Sequence, residues 1–225
     1  MHEIVIISGK GGTGKTSVAA SLSVVAGEDA IIADCDVDAA NMYILLKPDI
    51  KKMERFFSGE LAEINQEICD RCGLCSEICR FNAITLKNTE YLVNDLDCEG
   101  CGYCELICPA KAISLKKRAS GMVYSSIIKT NSIMVHAKLF TGAENSGKLV
   151  AKVKNEAKQI AINEDIKNII VDGSPGIGCP VISSLSGASY AIIVTEPSLS
   201  GLHDLKRISE IAEKFIDGDF ITLYL

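Results

Sequence analysis

Apolar and polar positions along this chain fall into two alternating kinds of segment. Short apolar, β-branched runs occur at Glu3–Ile7, Ala30–Asp34, Asn168–Asp172, Tyr190–Thr195 and Phe220–Leu225. Each has the length and continuity of a strand buried on both faces. Longer stretches with helical character lie between them, at Lys15–Ala26, Gly147–Asn163 and Leu202–Ile216. Strands alternating with helices predict an α/β fold with a mostly parallel sheet covered on both faces. Gly121–Lys129 and Ser132–Leu139 read as a hairpin that returns the chain to this sheet. The last run ends at Leu225 without a polar tail, so the chain reads as C-terminally truncated within a strand.

Residues 66–118 break the alternation with an internal repeat. Cys69, Cys72, Cys75 and Cys79 recur 29 positions later as Cys98, Cys101, Cys104 and Cys108. The match continues beyond them, Ala83-Ile84 and Leu86 aligning with Ala112-Ile113 and Leu115. The predicted organisation is therefore one α/β domain, residues 1–65 and 119–225, with a second domain inserted at 66–118.

Composition narrows the chemistry. The chain has 225 residues, of which 48% are hydrophobic and 23% charged, as in a globular protein. No apolar run approaches the ~18 residues that span a bilayer. Met1 leads directly into a strand without a charged leader. These features predict a cytoplasmic protein without a membrane partner. Net charge is −6, and residues 60–108 carry ten acids against three bases. The acidic stretch suits a basic redox partner or simply a solvated face. No basic stripe offers itself to nucleic acid. Eight of the ten cysteines lie in the two tight runs. In a cytoplasmic chain that pattern points to metal rather than disulfides.

Two motifs carry the functional reading. Gly9-Lys10-Gly11-Gly12-Thr13-Gly14-Lys15-Thr16 follows a strand and opens a helix, the context of a phosphate-binding loop. Its backbone amides and the helix N-terminus suit phosphate oxygens. Gly9 to Thr16, with Ser17 after them, are the candidate nucleotide-binding residues. Lys15 is placed for the β/γ-phosphates and Thr16 for Mg²⁺. Each cysteine run reads C-x2-C-x2-C-x3-C, the bacterial ferredoxin spacing. Zinc sites more often pair two distant C-x2-C knuckles. Two 4Fe–4S clusters are thus expected.

Lys10 in the glycine loop resembles the second lysine of the MinD/ParA/nitrogenase-iron-protein superfamily of P-loop ATPases, here with an inserted ferredoxin domain. Other stretches share the resemblance: Asp34-Cys35-Asp36-Val37-Asp38, Ile169-Ile170-Val171-Asp172-Gly173-Ser174-Pro175-Gly176, Glu144-Asn145-Ser146-Gly147-Lys148 and Thr195-Glu196-Pro197-Ser198. The resemblance implies a homodimer sandwiching ATP and Mg²⁺. Lys10 would cross to the partner's nucleotide, Asp36 would orient the attacking water near Mg²⁺, and Asp172 would hold Mg²⁺ through water. Lys10, Lys15, Asp36 and Asp172 are the implied catalytic residues, and Gly176 the implied γ-phosphate sensor. Resemblance to ferredoxins implies that the fourth cysteine of each run serves the other cluster. Cys69, Cys72, Cys75 and Cys108 would then hold one cluster, and Cys98, Cys101, Cys104 and Cys79 the other. Arg80 stands where ferredoxins usually carry proline, whereas Pro109 keeps it.

The implied function is an ATP hydrolase whose dimer switching is coupled to electron transfer, through two clusters, to a partner protein. An ATP-dependent iron–sulfur carrier is the alternative. A nucleotide-binding redox sensor without turnover fits less well, given Asp36 and Asp172. Cys179 shares its offset after Asp172 with a bridging-cluster cysteine of the nitrogenase iron protein. The glycine-rich stretch at residues 142–148 lacks the second cysteine such a bridge needs. Cys179 therefore reads as a small residue at a helix start, and Cys35 as core. His2, His136 and His203 show no metal spacing and read as structural.

Overall fold

The computed structural model describes residues 1–143, 146–216 and 220–225. The chain divides into two compact units. The first comprises Met1–Arg55, Gly121–Leu139 and Asn145–Leu225; the second comprises Phe56–Ser120 and Phe140–Glu144. The second unit thus begins ten residues before the predicted insertion and gains a short return segment.

In the first unit, β1 (His2–Ser8) leads through the glycine loop to α1 (Lys15–Ala26), followed by β2 (Ala30–Asp34) and α2 (Met42–Leu46). Two long strands, β3 (Asp49–Ile64) and β6 (Ile113–Ile127), carry the chain out of this unit and back. Then come β7 (Ile133–Leu139), α5 (Ser146–Asn163), β8 (Asn168–Pro175), α6 (Cys179–Leu185), β9 (Tyr190–Thr195), α7 (Leu199–Phe215) and β10 (Phe220–Tyr224). The sheet order is β10-β9-β1-β8-β2-β7-β6-β3. From β10 to β7 every pairing is parallel, and β6 runs antiparallel to β7.

All five residues of β2 are buried. Successive side chains point to opposite faces, so both faces of the sheet centre are covered. On one face Ile6, Ile32, Ile170 and Met134 pack with Ala19 and Ala20 of α1 and Met42 and Leu46 of α2. The small alanines let α1 lie close to the sheet, which brings the first turn of that helix over the ends of β1, β2 and β8.

β7 also carries a buried histidine. His136 Nε2 and Ser126 Oγ share a hydrogen bond of 2.9 Å. The imidazole stacks on Tyr124, centroids 4.9 Å apart. Burial lowers its pKa to about 4. Between that value and the unfolded value of ~6.5 the unfolded chain binds a proton that the native chain refuses. This group's contribution is therefore full above pH ~6.5 and is lost as pH falls toward 4. Denaturant titrations at pH 7 and pH 4.5 should show wild type losing about 2 kcal/mol more than His136→Gln across that interval. Equal losses would disprove the assignment.

The second unit is a doubled structure. α3 (Leu74–Ile78) and α4 (Tyr103–Ile107) are related by the 29-residue repeat, and a two-stranded sheet, β4 (Ile84–Lys87) with β5 (Glu90–Val93), lies between them in sequence. Gly73 and Gly102, which precede the two helices, have φ of 84° and 76°. Arg71 and Gly100 are left-handed at 60° and 63°, and Asn82 and Lys111 at 52° and 51°. Cys69 N donates to Asn65 O, as Cys98 N does to Asn94 O. Ala62, Ile64, Ala83, Ile84 and Ile113 form its core together with Cys75 and Cys98.

Candidate functional site

The glycine loop connects β1 to α1, and Lys15 is the first residue of that helix. Gly14 caps it at φ 86°, a left-handed conformation that a side chain would strain. Lys15 is turned back under the loop, its side chain only 6% exposed. Its Nζ lies 2.7 Å from Asp172 Oδ1 and 3.6 Å from Asp36 Oδ2, and donates to Thr16 Oγ1 at 3.4 Å. The sheet explains the convergence. Asp34 at the end of β2 and Asp172 on β8 are register partners in adjacent parallel strands. Side chains at matching positions share a face, and α1 brings Lys15 over that face.

Asp34 is a member of this group that sequence reasoning left without a role. It is 1% exposed. Burial, then the neighbouring Asp172, raises its pKa to about 8, so it carries a proton at neutral pH. Asp36 is also raised by burial, opposed by the Lys15 ammonium. Asp34 Oδ1 accepts from Asp36 N at 3.2 Å. Asp34 Oδ2, Asp172 Oδ2 and Thr13 Oγ1 are buried with no hydrogen-bond partner among the described residues. Orphaned buried oxygens beside a cation-holding loop fit a site built to take Mg²⁺ and phosphate. Gly176 follows β8 and donates its amide to Ser8 O at 2.9 Å, tying that segment to the base of the loop. Ser17 is exposed one residue further along α1.

Lys10 is on the loop but away from this carboxylate group. Its Nζ lies 2.6 Å from Glu196 Oε1, after β9 in the same chain, and 3.4 Å from Ser200 Oγ. Cys179 is the exposed first residue of α6. Cys35 is fully buried, and burial pushes its thiol up. Glu144 and Asn145 of the predicted 144–148 motif lie outside the described residues, whereas Ser146 opens α5.

In the second unit the eight repeat cysteines sort into two cavities. One, of about 410 Å³, is lined by Cys98, Cys101 and Cys104 together with Cys79. The other, of about 10 Å³, is lined by Cys69, Cys72 and Cys75 together with Cys108. Each thus gathers three cysteines of one run and the last of the other. Ala83 N donates to Cys79 Sγ at 3.4 Å, and Ala112 N to Cys108 Sγ at 3.3 Å, the same contact in both halves. Such amides stabilise thiolate charge. Arg80 lines the first cavity and Pro109 the second. Among the described residues, no three His, Cys, Asp or Glu side chains are placed around a single metal ion. A four-iron cluster spreads its thiolates around a cube, wider than the shell of one ion. The larger cavity has room for a group of that size, whereas the smaller, at about 10 Å³, would have to widen to admit one.

Residues 4–218 match the CobQ/CobB/MinD/ParA nucleotide binding domain. "Uncharacterized protein MJ0578" of Methanocaldococcus jannaschii is 38% identical over 215 residues, covering 95% of this chain and 74% of that protein. "Uncharacterized protein MJ0579" of the same organism is 28% identical over 220 residues, covering 95% and 77%. Among solved structures, the Cyanothece McdA(D38A)–ATP complex has a TM-score of 0.53 at 16% identity, covering 100% of this chain and 70% of that one. Mycobacterium smegmatis cobyrinic acid a,c-diamide synthase with an ATP analogue and magnesium has a TM-score of 0.50 at 12% identity, covering 100% and 75%. At these identities the likeness to the solved structures is one of fold.

Proposed function

The chain belongs to the CobQ/CobB/MinD/ParA nucleotide-binding family, and from that premise we propose an ATPase whose nucleotide-dependent pairing governs electron delivery to a partner protein by a unit holding two 4Fe–4S clusters. The observation that carries the redox half is the sorting of the eight cysteines by fold into two fours. Cys69, Cys72, Cys75 and Cys108 would hold one cluster, and Cys98, Cys101, Cys104 and Cys79 the other. When bound, each such cluster takes up or gives back one electron.

The residues of the nucleotide site have separable tasks. The Gly9–Thr16 amides and the start of α1 hold phosphate oxygens. Lys15 exchanges its contact with Asp172 for the β/γ-phosphates, which frees Asp172 for Mg²⁺ together with Thr16. Asp36 is left to orient water. Lys10 of a second copy supplies positive charge in trans, as an arginine finger does. Release of Asp172 and Asp36 from Lys15 moves the segments that follow β2 and β8, and these are the two-state elements that the coupling needs.

The test is an EPR-monitored redox titration of anaerobically purified protein, with and without MgATP. Two reduced-cluster signals whose midpoints shift with MgATP support the reading. Zinc in place of iron would overturn it. Exposure of Cys72 and Cys101 favours a second reading, an ATP-dependent cluster carrier. That reading expects unmoved midpoints and iron–sulfur transfer to an apo-ferredoxin that responds to MgATP.

A further inference from the structure

Arg118, half-buried on β6, is bound at both arms of its guanidinium. Nη1 donates to the carbonyl of Cys98 at 3.3 Å, and Nη2 to that of Gly142 at 3.4 Å. Cys98 opens the second cysteine run and lines the larger cavity. Gly142 lies on the segment that leaves β7 after Leu139. That segment is fixed to β6 a second time, Phe140 N donating to Ser120 O at 2.9 Å. Its start is tied to the nucleotide site. Leu139 N donates at 3.2 Å to the carbonyl of Val37, the residue after Asp36. Asp36 in turn stands 3.6 Å from Lys15. A bonded route thus runs from Lys15 through Asp36-Val37 and Leu139–Gly142 to Arg118 and Cys98. The repeat does not supply the first run with the same device. Thr89 stands 29 positions before Arg118, and its single hydroxyl proton cannot hold two carbonyls.

We propose that Arg118 is the positioning residue through which the nucleotide site acts on one cluster, that of Cys98, Cys101, Cys104 and Cys79. The proposal rests on the redox reading above, in which the segment after β2 shifts when Lys15 leaves Asp36 for phosphate. Val37 lies in that segment, so its carbonyl carries the shift to Leu139 and on to Gly142. A guanidinium is a planar, rigid fork, so displacing Gly142 O re-aims the arm on Cys98 O. Cluster potentials respond to nearby charge and to hydrogen bonds around the ligands. A cation favours the reduced, more negative cluster. Moving the Arg118 charge relative to Cys98 therefore shifts that cluster's midpoint, and the cluster of Cys69, Cys72, Cys75 and Cys108 follows less.

EPR-monitored redox titration of the intact, anaerobically purified protein tests this, with and without Mg²⁺ and a non-hydrolysable ATP analogue. Cys101→Ser, which lacks the Cys98 cluster, assigns the two signals. In wild type the larger shift should fall on the Cys98 cluster. Changes within such a connection alter coupling about 2- to 30-fold, which is about 20–90 mV for one electron. Arg118→Gln should lose a shift of that size there. Lacking the cation, it should also have a lower midpoint at that cluster without nucleotide. Arg118→Lys keeps the charge but not the fork, so it should keep the nucleotide-free midpoint and lose the shift. The signal of the Cys69 cluster, present in each variant, reports that the unit is still folded. A full shift in either variant overturns the proposal, as does a larger shift on the Cys69 cluster, and the redox reading then stands. Unmoved midpoints in wild type overturn the proposal and that reading together.

Discussion

Lys15→Ala is expected to lose MgATP affinity by on the order of 10²- to 10⁴-fold, measured by isothermal titration calorimetry. A charge-assisted hydrogen bond to a phosphate oxygen contributes about 1.5–3 kcal/mol, and Lys15 is placed to make two. The side chain is buried against Asp172, itself without exposure, so the substitution also leaves a carboxylate uncompensated. Breaking a buried pair from one side costs about 3–5 kcal/mol. The two effects separate in a second variant. Lys15→Met with Asp172→Asn replaces the pair by neutral groups of similar size. It should recover most of the lost thermal stability and none of the lost affinity. Affinity that survives Lys15→Ala would place the nucleotide elsewhere.

The second large effect is on iron. Cys79→Ser should remove half of the iron, and the identity of the lost half is the informative part. Cys79 shares its cavity with Cys98, Cys101 and Cys104 rather than with its own run. Cys79→Ser combined with Cys101→Ser should therefore lose no more iron than Cys79→Ser alone, whereas Cys79→Ser combined with Cys72→Ser should lose nearly all of it. Sites that act on one unit are non-additive, and sites on separate units add. Cys101 and Cys72 suit the comparison because both are exposed. Cys75 and Cys98 are packed in the core of the unit, and substituting them would perturb folding as well as ligation. If Cys79→Ser with Cys72→Ser retained half of the iron, each run would hold its own cluster.

Legibility in the sequence followed burial. β2 and β9 span Ala30–Asp34 and Tyr190–Thr195, as their apolar runs predict, because both faces of those strands are covered and periodicity reports burial. β3 gave no such signal. Most of Asp49–Gly59 is exposed, so its strand character comes from pairing at the sheet edge rather than from apolar side chains. α2 was equally silent, being five residues long with Tyr43, Ile44 and Leu45 exposed. The Lys10–Glu196 contact has no signature in the sequence, because it depends on where the start of α7 is placed against the glycine loop.

The sequence by itself determined the local chemistry: a loop that must turn at Gly14 ahead of Lys15, a parallel α/β order, and two cysteine runs in a 29-residue repeat. These are legible because they depend on backbone freedom, period and spacing over a few residues. Only the tertiary structure decided which distant groups meet. It brought Asp34 and Asp172 together as register partners, buried Asp34 deeply enough to keep its proton, set Cys79 among the cysteines of the other run, and turned Lys10 onto Glu196. Those outcomes depend on strand order and helix placement, and the free energy that sets them is shared across the whole core rather than written at any one position.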